Sequence, residues 1–429
     1  MDFRELPPVK EQIKKCVRCG RCRTVCPVFA EIKNETAAPR GHVFMVQMLR
    51  DGVVKPEEKV YEKLGNCLQC ETCSTFCPSG IDIHELNEAA RSYIYKANPS
   101  LGKDLVFDEV WTRPGLLKTG RFFLWGANKS GLQKAARSLG LTKILPGDLP
   151  KAEQIIQDLP MRSARGTLSV YNQARGPKRM TVAYFLGCGT DMFSPSVAQA
   201  TVEMLTRVGC DVIIPKDMKC CGLPHIANGK LDTARNLAIH NLKIFNSLDV
   251  DYIVTDCASC SSAISEKRLN YLLEGQGYDE EIKIFGSKVR DLTVFLTEVI
   301  EVKKNLLNTT EMKVTYHDPC HLAKAQGIRQ SPRDLLKTIP GLQLVEMPDS
   351  DRCCGGSGTF SLTHYDLSMK ILGRKMDAIG QTGAQTIATC CPSCTLQLKH
   401  GTKLYKYDAK VKHPVELLLA SAQNQLVKK

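Results

Sequence analysis

The stretch Thr181-Val182-Ala183-Tyr184-Phe185-Leu186-Gly187-Cys188 is an apolar run that ends at a cysteine. Two further cysteine groups follow it, Cys220-Cys221-Gly222 and Cys257-Ala258-Ser259-Cys260. The intervals between the groups are too long for the five cysteines to share one helix or one strand. The thiols are therefore expected to converge from three separate loops, and such convergence is typical of a bound metal or metal cluster.

The same pattern occurs a second time. Cys320, Cys353-Cys354-Gly355 and Cys391-Pro392-Ser393-Cys394 each lie 132 to 134 residues after their counterparts in the first pattern. A nearly constant offset over three landmarks indicates an internal duplication. We name the copies, after their Cys-Cys-Gly motif, the first CCG module (residues 178–305) and the second CCG module (residues 306–429).

Short apolar runs alternate with helical windows in both copies. The runs at 181–186, 212–214 and 252–255 predict the strands of the first copy, and those at 314–316, 342–345 and 386–389 predict the strands of the second. Strands that alternate with helices predict a parallel sheet. Each cysteine group follows a strand, at the sheet edge where open α/β folds build their sites. We therefore predict two duplicated α/β modules with parallel sheets.

The N-terminal residues 1–99 carry a different cysteine pattern. The sequence Cys16-x2-Cys19-x2-Cys22-x3-Cys26-Pro27 recurs at Cys67-x2-Cys70-x2-Cys73-x3-Cys77-Pro78. In the bacterial ferredoxin run, three close thiolates hold one 4Fe-4S cluster and the fourth reaches the other cluster. The predicted ligand sets are Cys16, Cys19, Cys22 and Cys77 for the first cluster, and Cys67, Cys70, Cys73 and Cys26 for the second. We expect a helical two-cluster ferredoxin module, so the whole chain is α+β.

Zinc is the alternative for the N-terminal cysteines, because paired CxxC units also form zinc ribbons. A zinc ion has no use for a third nearby cysteine followed by Cys-Pro, twice over. Composition agrees with redox chemistry. The 429 residues allow two or three domains, and the 20 cysteines belong to a chain without an apolar signal-peptide core. We expect a cytoplasmic protein in which thiols stay reduced, so metal binding is favoured over disulfides.

Residues 100–177 contain no cysteine and form a predicted helical linker. Seven basic residues and no acidic residue lie between Trp111 and Gly147: Arg113, Lys118, Arg121, Lys129, Lys134, Arg137 and Lys143. Basic residues mixed with aromatic ones suit an anionic membrane surface, the docking of a partner subunit, or a linker packed on the ferredoxin module. The net charge of +13 does not choose among these roles.

Two ferredoxin runs followed by two CCG modules resemble the iron-sulfur subunit of bacterial glycolate oxidase and the related subunits of lactate-utilisation complexes and heterodisulfide reductase. The resemblance extends from about residue 8 to the C-terminus, the linker excepted. It implies an electron-transfer subunit that serves an FAD-containing dehydrogenase of a 2-hydroxy acid such as glycolate or D-lactate. The electrons would leave to a quinone or another carrier, and a quinone implies contact with the inner face of the cell membrane.

The heterodisulfide reductase branch implies a second function. There, five cysteines of a CCG module hold a non-cubane iron-sulfur cluster that reduces a disulfide, so the chain would carry up to two such clusters. The implied ligands are Cys188, Cys220, Cys221, Cys257 and Cys260 in the first module, and Cys320, Cys353, Cys354, Cys391 and Cys394 in the second. Both modules keep a complete CxxC end, whereas glycolate and lactate subunits often lack part of one.

Several other residues near the motifs have open roles. His225 and His317 are candidates to hydrogen-bond a cluster or to deliver a proton, although such histidines are more often satisfied loop residues. Cys390 is either a competitor for iron or inert, and Cys210 is expected in the core. We expect His42 and His84 to face solvent or to cap helices. A third reading is a zinc-stabilised scaffold that binds nucleic acid through residues 111–147, but nucleic acid is not the partner that we expect.

Overall fold

The computed structural model describes residue 3 and residues 8–130, 147–156 and 159–422. The part of the basic stretch that contains Lys134, Arg137 and Lys143 lies outside the described residues. None of the described helices combines the length and the apolar character needed to cross a bilayer.

The ferredoxin module is helical, as predicted. Its α-helices are Arg21–Thr24, Pro27–Ile32, Pro39–Arg50, Glu58–Gly65, Thr72–Thr75 and Ile83–Ala97, with short π and 3-10 turns at Pro8–Gln12, Ile13–Lys15 and Glu35–Ala37. The two longest helices, Pro39–Arg50 and Ile83–Ala97, pack against each other. Their inward faces, with Val46 and Leu86 fully buried, form a core that is separate from the CCG cores.

The first CCG module contains a five-stranded sheet. Its strands are β1 (Tyr171–Asn172), which the C-terminal end of the linker contributes, β2 (Met180–Tyr184), β3 (Cys210–Ile213), β4 (Tyr252–Thr255) and β5 (Val289–Asp291), in the order β1-β3-β2-β4-β5. All pairs are parallel except β1 with β3. The α-helices around it are Cys188–Phe193, Pro195–Arg207, Leu223–Ala227, Leu231–Asn246, Ala258–Ala263, Glu266–Leu272, Asp279–Lys288 and Leu292–Val294.

The second CCG module repeats this topology. Its strands are β6 (Met312–Tyr316), β7 (Leu342–Leu344), β8 (Thr386–Ala388) and β9 (Lys410–Lys412), all parallel in the order β7-β6-β8-β9. This is the order of β3-β2-β4-β5 in the first module, as an internal duplication predicts. The α-helices are Cys320–Ala323, Gln330–Thr338, Phe360–Thr363, Tyr365–Gly380, Pro392–Leu404 and Pro414–Ser421.

Three strands and one helix break were not predicted. β1, β5 and β9 are only two or three residues long, and the edge strands β5 and β9 each contain one apolar and two charged residues, so they contain no apolar run. The helical region that follows Cys260 is divided into two helices, because the Ser265 side chain accepts from the Arg268 N–H and starts a new helix there.

The described part of the linker packs mainly on the CCG modules. Its helices are Leu101–Asp104, Pro114–Lys129 and Leu149–Ala152, with short turns between and after them. Lys230 Nζ forms an ion pair of 2.7 Å with Asp108, and the Phe107 ring lies edge-on to His225 at 5.7 Å. Lys151 pairs with Asp366 of the second module at 2.6 Å. Phe107 and Trp111 thus pack on the first CCG module, whereas one of the sequence-based alternatives was a linker packed on the ferredoxin module.

The ferredoxin module docks on both CCG modules. Glu88 of the ferredoxin module forms a buried ion pair with Arg268 of the first CCG module. Arg91 Nη1 of the ferredoxin module donates to the carbonyl of Ala227 in the same CCG module at 2.8 Å. Ser357 Oγ, in the second module, donates to the carbonyl of Leu68 at 2.6 Å. Buried polar contacts of this kind fix the relative positions of the three modules.

Candidate metal centres

Two cavities in the ferredoxin module are each lined by four cysteines. Cys16, Cys19, Cys22 and Cys77 line the first cavity, and Cys26, Cys67, Cys70 and Cys73 line the second. The fourth cysteine of each run therefore lies with the three close cysteines of the other run. The structure brings together the same two sets that the ferredoxin spacing predicts.

The two loops that line these cavities have the same backbone conformation. Arg18 and Gly20 have φ values of 54° and 81°, and their counterparts 51 residues later, Gln69 and Glu71, have values of 51° and 58°. Left-handed conformation in a non-glycine residue costs about 1 kcal/mol or more. It turns backbone N–H groups towards sulfur, and Gln69 N–H lies 3.4 Å from Cys67 Sγ. Such N–H groups favour the negative charge of a metal–thiolate cluster.

The cysteines around the second cavity are buried or half-buried. Burial raises the pKa of Cys73 well above its usual value and that of Cys26 to about 12. These thiols therefore hold their protons until a metal replaces them. A group of four converging thiols has the donor chemistry that iron-sulfur clusters require.

His42 and His84 do not face solvent, so that expectation is wrong. Both side chains are buried in the wall of the second cavity. His42 Nδ1 lies 3.0 Å from Asn87 Nδ2, and burial lowers the pKa of His42 to about 3. His84 Nδ1 lies 3.2 Å from Ser74 Oγ. They are neutral packing residues around the cavity, because charged imidazole is disfavoured there.

In the first CCG module the three cysteine groups meet beyond the carboxyl ends of the strands, as predicted. The sulfurs of Cys188 and Cys220 lie 3.5 Å apart. The Cys221 thiol contacts those of Cys220 and Cys260. Cys257 caps the helix Ala258–Ala263 by accepting the N–H of Cys260 at 3.4 Å. The five implied ligands therefore form one cluster of thiols.

The second CCG module gathers its thiols in the same way. The Cys353 thiol contacts those of Cys320 and Cys354, and Cys354 also contacts Cys394. Cys394 in turn contacts Cys391. The Gly355 N–H donates to Cys353 Sγ at 3.4 Å.

Glycine is required at two kinds of position beside these thiols. Gly222 and Gly355, which follow the paired cysteines, both have a φ of 88°, where a side chain is strained. Gly187 precedes Cys188, and a Cβ added there would lie 2.6 Å from Cys260 Sγ. The glycines of the motif therefore allow the loops to close around the sulfurs.

The second cysteine of each Cys-Cys pair has a lowered pKa. Hydrogen bonds from the Cys220 and Cys260 thiols lower the pKa of Cys221 to about 5. Bonds from the Cys353 and Cys394 thiols lower the pKa of Cys354 well below its usual value. The lowered pKa favours the thiolate of this cysteine, and the thiolate is the form that binds metal.

His317 faces the thiols of the second module. Its side chain is fully buried, and apart from its contact with the Cys354 thiol neither ring nitrogen has a hydrogen-bond partner among the described residues. A ring nitrogen of His317 and the sulfurs of Cys354 and Cys394 all lie within 4.8 Å of one another. A buried polar group without a partner is unfavourable, so this arrangement fits a bound cluster beside the ring.

His225 is turned towards the linker. Its Nε2 lies 2.8 Å from the carbonyl of Phe107, and burial lowers the pKa of His225 to about 4. Because a carbonyl only accepts, Nε2 donates this hydrogen bond. The described hydrogen bond of His225 therefore holds the linker on the first module.

Among the described hydrogen bonds, none joins the two extra cysteines, Cys390 and Cys210, to the thiol clusters. Cys390 Sγ accepts from the Tyr316 hydroxyl at 3.4 Å, and Cys210 is a fully buried residue of β3. Both behave as small core residues.

The thiol groups of the two CCG modules adjoin each other. The Cys257 thiol contacts the Cys391 thiol, and Ser259 Oγ lies 3.4 Å from Cys391 Sγ. The ten implied ligands thus form a continuous line of thiols from Cys188 to Cys320. Cys320 in turn shares an apolar cluster with Cys26 and Cys70 of the second ferredoxin cavity.

His321 links all three modules at this junction and was not predicted. Its Nδ1 lies 3.1 Å from Ser259 Oγ in the first module, and its Nε2 lies 3.2 Å from the carbonyl of Gln69 in the ferredoxin module. Because a carbonyl only accepts, Nε2 donates to Gln69. The only sequence signal was its position next to Cys320.

Family models match most of the chain. A 4Fe-4S dicluster domain matches residues 12–81, a cysteine-rich domain matches residues 182–265 and 314–399, and the linker region of the glycolate oxidase iron-sulfur subunit matches residues 99–156. These matches support iron-sulfur clusters, and they disfavour the zinc scaffold.

Two relatives and one solved structure are similar to the chain. A probable glycolate oxidase iron-sulfur subunit of Bacillus subtilis is 34% identical over 96% of this chain and 94% of its own length. A lactate utilization protein A of an Exiguobacterium species is 32% identical over 58% of this chain and 98% of its own. A hypothetical protein of Helicobacter pylori shares the fold at 10% identity with a TM-score of 0.53, over 98% of this chain and 73% of that one.

Proposed function

This chain belongs to the family of the glycolate oxidase iron-sulfur subunit, and on that premise we propose that it transfers electrons from a partner FAD-containing 2-hydroxy-acid dehydrogenase to a quinone or another carrier. The hydroxy acid would be glycolate or D-lactate, in line with the names of the relatives. We propose the two ferredoxin cysteine sets as ligands of two 4Fe-4S clusters.

One observation supports this proposal above the others. The first ferredoxin cavity, the second ferredoxin cavity, the thiols of the second CCG module and those of the first follow one another in space. Iron-sulfur clusters, when bound, accept and release one electron at a time. A row of adjacent sites is therefore suited to relay electrons across the chain.

The electron balance assigns the hydroxy-acid chemistry to the partner. Oxidation of a 2-hydroxy acid to a 2-oxo acid releases two electrons and two protons, which pass to the flavin of the dehydrogenase. Two single-electron transfers into this chain then return the flavin to its oxidised form, and the protons go to solvent. Two further single-electron transfers reduce the acceptor, and a quinone takes up two protons as well.

The residues of this chain position and insulate the relay. Left-handed residues such as Gln69 direct N–H groups towards sulfur, and Gly187 lets its loop pass over Cys260. His321 holds the cysteine loops of all three modules in register through Ser259 and Gln69. We propose His317 as a hydrogen-bond donor to the second CCG centre, because both its nitrogens lack other described partners.

The test is to measure iron and acid-labile sulfide per chain on anaerobically purified protein, with EPR during a stepwise reductive titration. About eight irons and two interacting signals would support a relay through two 4Fe-4S clusters. Clearly more than eight irons, with a further signal that Cys221→Ala or Cys354→Ala removes, would add a CCG centre to the relay. A colourless protein that holds zinc would contradict the proposal.

Disulfide reduction is the second candidate function. It is favoured by the complete ligand set in both modules and by the contact between Cys257 and Cys391, which places two candidate centres side by side. Two electrons and two protons would convert one disulfide into two thiols. Turnover of a small disulfide such as cystamine by the full chain with a chemical reductant alone would support it, and no turnover by iron-loaded protein would contradict it.

A further inference from the structure

The two cysteine loops of the ferredoxin module are copies that have different surroundings. Residues 13–24 read IKKCVRCGRCRT and residues 64–75 read LGNCLQCETCST, with the cysteines 51 residues apart throughout. The shared left-handed positions show that the backbones follow the same path. The surroundings of the second loop can therefore be compared directly with the surroundings of the first.

The second loop is covered by the second CCG module. Leu68 is 2% exposed and packs in an apolar cluster with Cys353 and Phe360. The carbonyls of Leu68 and Gln69 receive hydrogen bonds from Ser357 and His321 of that module. This contact brings Cys70 beside Cys320, so covering the loop also joins two redox sites.

The first loop presents the same surface to solvent. Val17, the counterpart of Leu68, is 71% exposed. Cys19, the counterpart of the buried Cys70, is exposed as well. Phe44 lies beside the loop at 46% exposure, with the Arg18 guanidinium 5.1 Å from its ring. Exposed apolar side chains over a redox site are typical of an interaction surface.

The charge of the two loops also differs. The first loop carries five basic residues and no acidic residue, namely Lys14, Lys15, Arg18, Arg21 and Arg23. The second loop has no basic residue, and its charged position is acidic, Glu71. The nearby Glu35 is engaged by Arg40 and by Arg23. The covered loop is thus neutral or slightly acidic, and the uncovered loop is strongly basic.

We propose that residues 14–21, with Phe44, form a docking loop for an electron-donor flavoprotein whose contact surface is acidic with an apolar centre. The partner covers Val17 as the second CCG module covers Leu68, and its acidic rim faces the basic side chains. This inference rests on the proposed function and specifies where the donor binds. Opposite charges steer such an encounter, and the apolar centre holds the complex.

Docking at this loop gives each electron a short path into the chain. One electron leaves the reduced flavin of the donor and enters the site formed by Cys16, Cys19, Cys22 and Cys77. A second docking event, or a second transfer in the same complex, removes the other electron, and the flavin protons go to solvent. Cys19 is the ligand nearest to solvent on this side, because it is the exposed member of its set.

The experiment uses the full-length, cluster-loaded chain under anaerobic conditions and two reductants. Reduced flavodoxin, a small acidic FMN protein, is the protein probe, and photoreduced 5-deazariboflavin is the small uncharged one. Stopped-flow absorbance follows cluster reduction at several salt concentrations. The variants are Lys14→Glu/Lys15→Glu/Arg21→Glu and, separately, Val17→Asp. The matched control is Lys399→Glu/Lys406→Glu/Lys410→Glu, on exposed residues of the second CCG module.

We expect the wild-type rate with flavodoxin to fall as salt rises, because salt screens the attraction. The triple loop variant is expected to lose about tenfold or more of this rate at low salt and most of its salt dependence. Val17→Asp is expected to slow flavodoxin even at high salt. The control variant, the iron content and the rate with deazariboflavin are expected to stay at wild-type values.

Three results would overturn the docking loop. The first is a flavodoxin rate that changes in neither loop variant. The second is a loss of flavodoxin rate in the control variant equal to that in the loop variants. The third is that the loop supports binding to phosphatidylserine vesicles, or self-association, in place of flavodoxin binding. If deazariboflavin does not reduce the wild-type clusters, the electron-transfer function itself fails. Normal reduction by deazariboflavin with unchanged flavodoxin rates would reject the docking loop alone.

Discussion

The thiol of Cys257, in the first CCG module, contacts the thiol of Cys391, in the second. Both follow the end of a central strand, β4 or β8, so the two sheets direct their carboxyl edges towards each other. The main chain reinforces the contact, because Ala258 N–H donates to the carbonyl of Cys390 at 2.8 Å. The duplicated modules therefore form one composite site at their junction.

A substitution at this junction is expected to affect both centres. In Cys391→Ala, iron and labile sulfide are expected to drop by about one centre, and the EPR signal of the first module to shift because Cys257 loses its neighbour. Cys390→Ala is the matched control, since Cys390 contacts the Tyr316 hydroxyl instead. Equal iron loss in both variants would contradict the assignment of Cys391 as a ligand.

Each ferredoxin cavity is lined by three cysteines of one run and the fourth cysteine of the other run, so substituting a fourth cysteine is expected to affect the cluster of the other run. Because Cys77 lines the cavity of the first run, Cys77→Ser is expected to remove the same EPR signal as Cys19→Ser. Cys26→Ser is expected to remove the same signal as Cys70→Ser, since Cys26 lines the second cavity. EPR of the four reduced variants makes the comparison. Loss of the same EPR signal in Cys26→Ser and Cys19→Ser would contradict this assignment of ligands.

Replacing His317 is expected to shift the redox potential of the second CCG centre without loss of its metal. His317→Gln keeps a donor but moves it away from the sulfurs of Cys354 and Cys394. A tenfold change in the stability of one redox state moves a one-electron potential by about 59 mV, and a shift of roughly that size is expected in a potentiometric EPR titration. His240→Gln, at a histidine bonded to the carbonyl of Asp217, is the control. An unchanged potential in His317→Gln would reject the role.

Glu85 is expected to make stability depend on pH. Burial raises the pKa of Glu85 to about 7 from a usual value of 4.5, and the neighbouring Asp82 adds to the shift. Between these values the folded chain keeps a proton that the unfolded chain has lost, so stability falls as pH rises. Glu85→Gln is expected to gain up to about 3 kcal/mol relative to wild type as pH rises from about 4.5 to 7.5.

Thermal unfolding of both proteins across that pH range measures the Glu85 effect. Glu11→Gln, at an exposed position near the same surface, serves as the control and is expected to follow the wild-type curve. A constant difference between Glu85→Gln and wild type at every pH would contradict the prediction.

The buried pair of Glu88 and Arg268 is expected to hold the ferredoxin module on the first CCG module. Glu88→Ala leaves Arg268 buried without its partner and is expected to cost about 3 kcal/mol or more. Glu88→Met/Arg268→Met is expected to recover part of this loss. Glu301→Ala removes the exposed pair with Lys303 and is expected to change stability little, because solvent screens an exposed pair. Denaturant unfolding compares the three, and equal effects of the two alanine variants would contradict the argument.

Much of the architecture was predictable because its signals are local. The runs at 181–186 and 314–316 lead into β2 and β6, and the nearly constant offset between the copies predicted the shared strand order. The short strands β5 and β9 were missed, since three residues at a sheet edge bury too little to leave an apolar pattern. The predicted thiols converge because strand ends fix where their loops begin.

The junction of the three modules was not predictable in the same way. His321, Ser259 and Gln69 come from three different modules, and their contacts depend on how folded modules dock. His42 and His84 were misjudged for a related reason. Polar side chains are usually exposed, and only the packing of the helix Ile83–Ala97 against the cavity wall buries them.

The cover over the second ferredoxin loop sets an order for maturation. Ser357 and His321 close over Leu68 and Gln69, so an iron-delivery protein that needs to touch Cys70 has access only while the second CCG module is undocked. The exposed Cys19 loop stays accessible after closure. On our proposal that this loop holds a 4Fe-4S cluster, the cluster is therefore inserted before the second CCG module docks, and a chain that docks without it regains access to Cys70 only by partial unfolding.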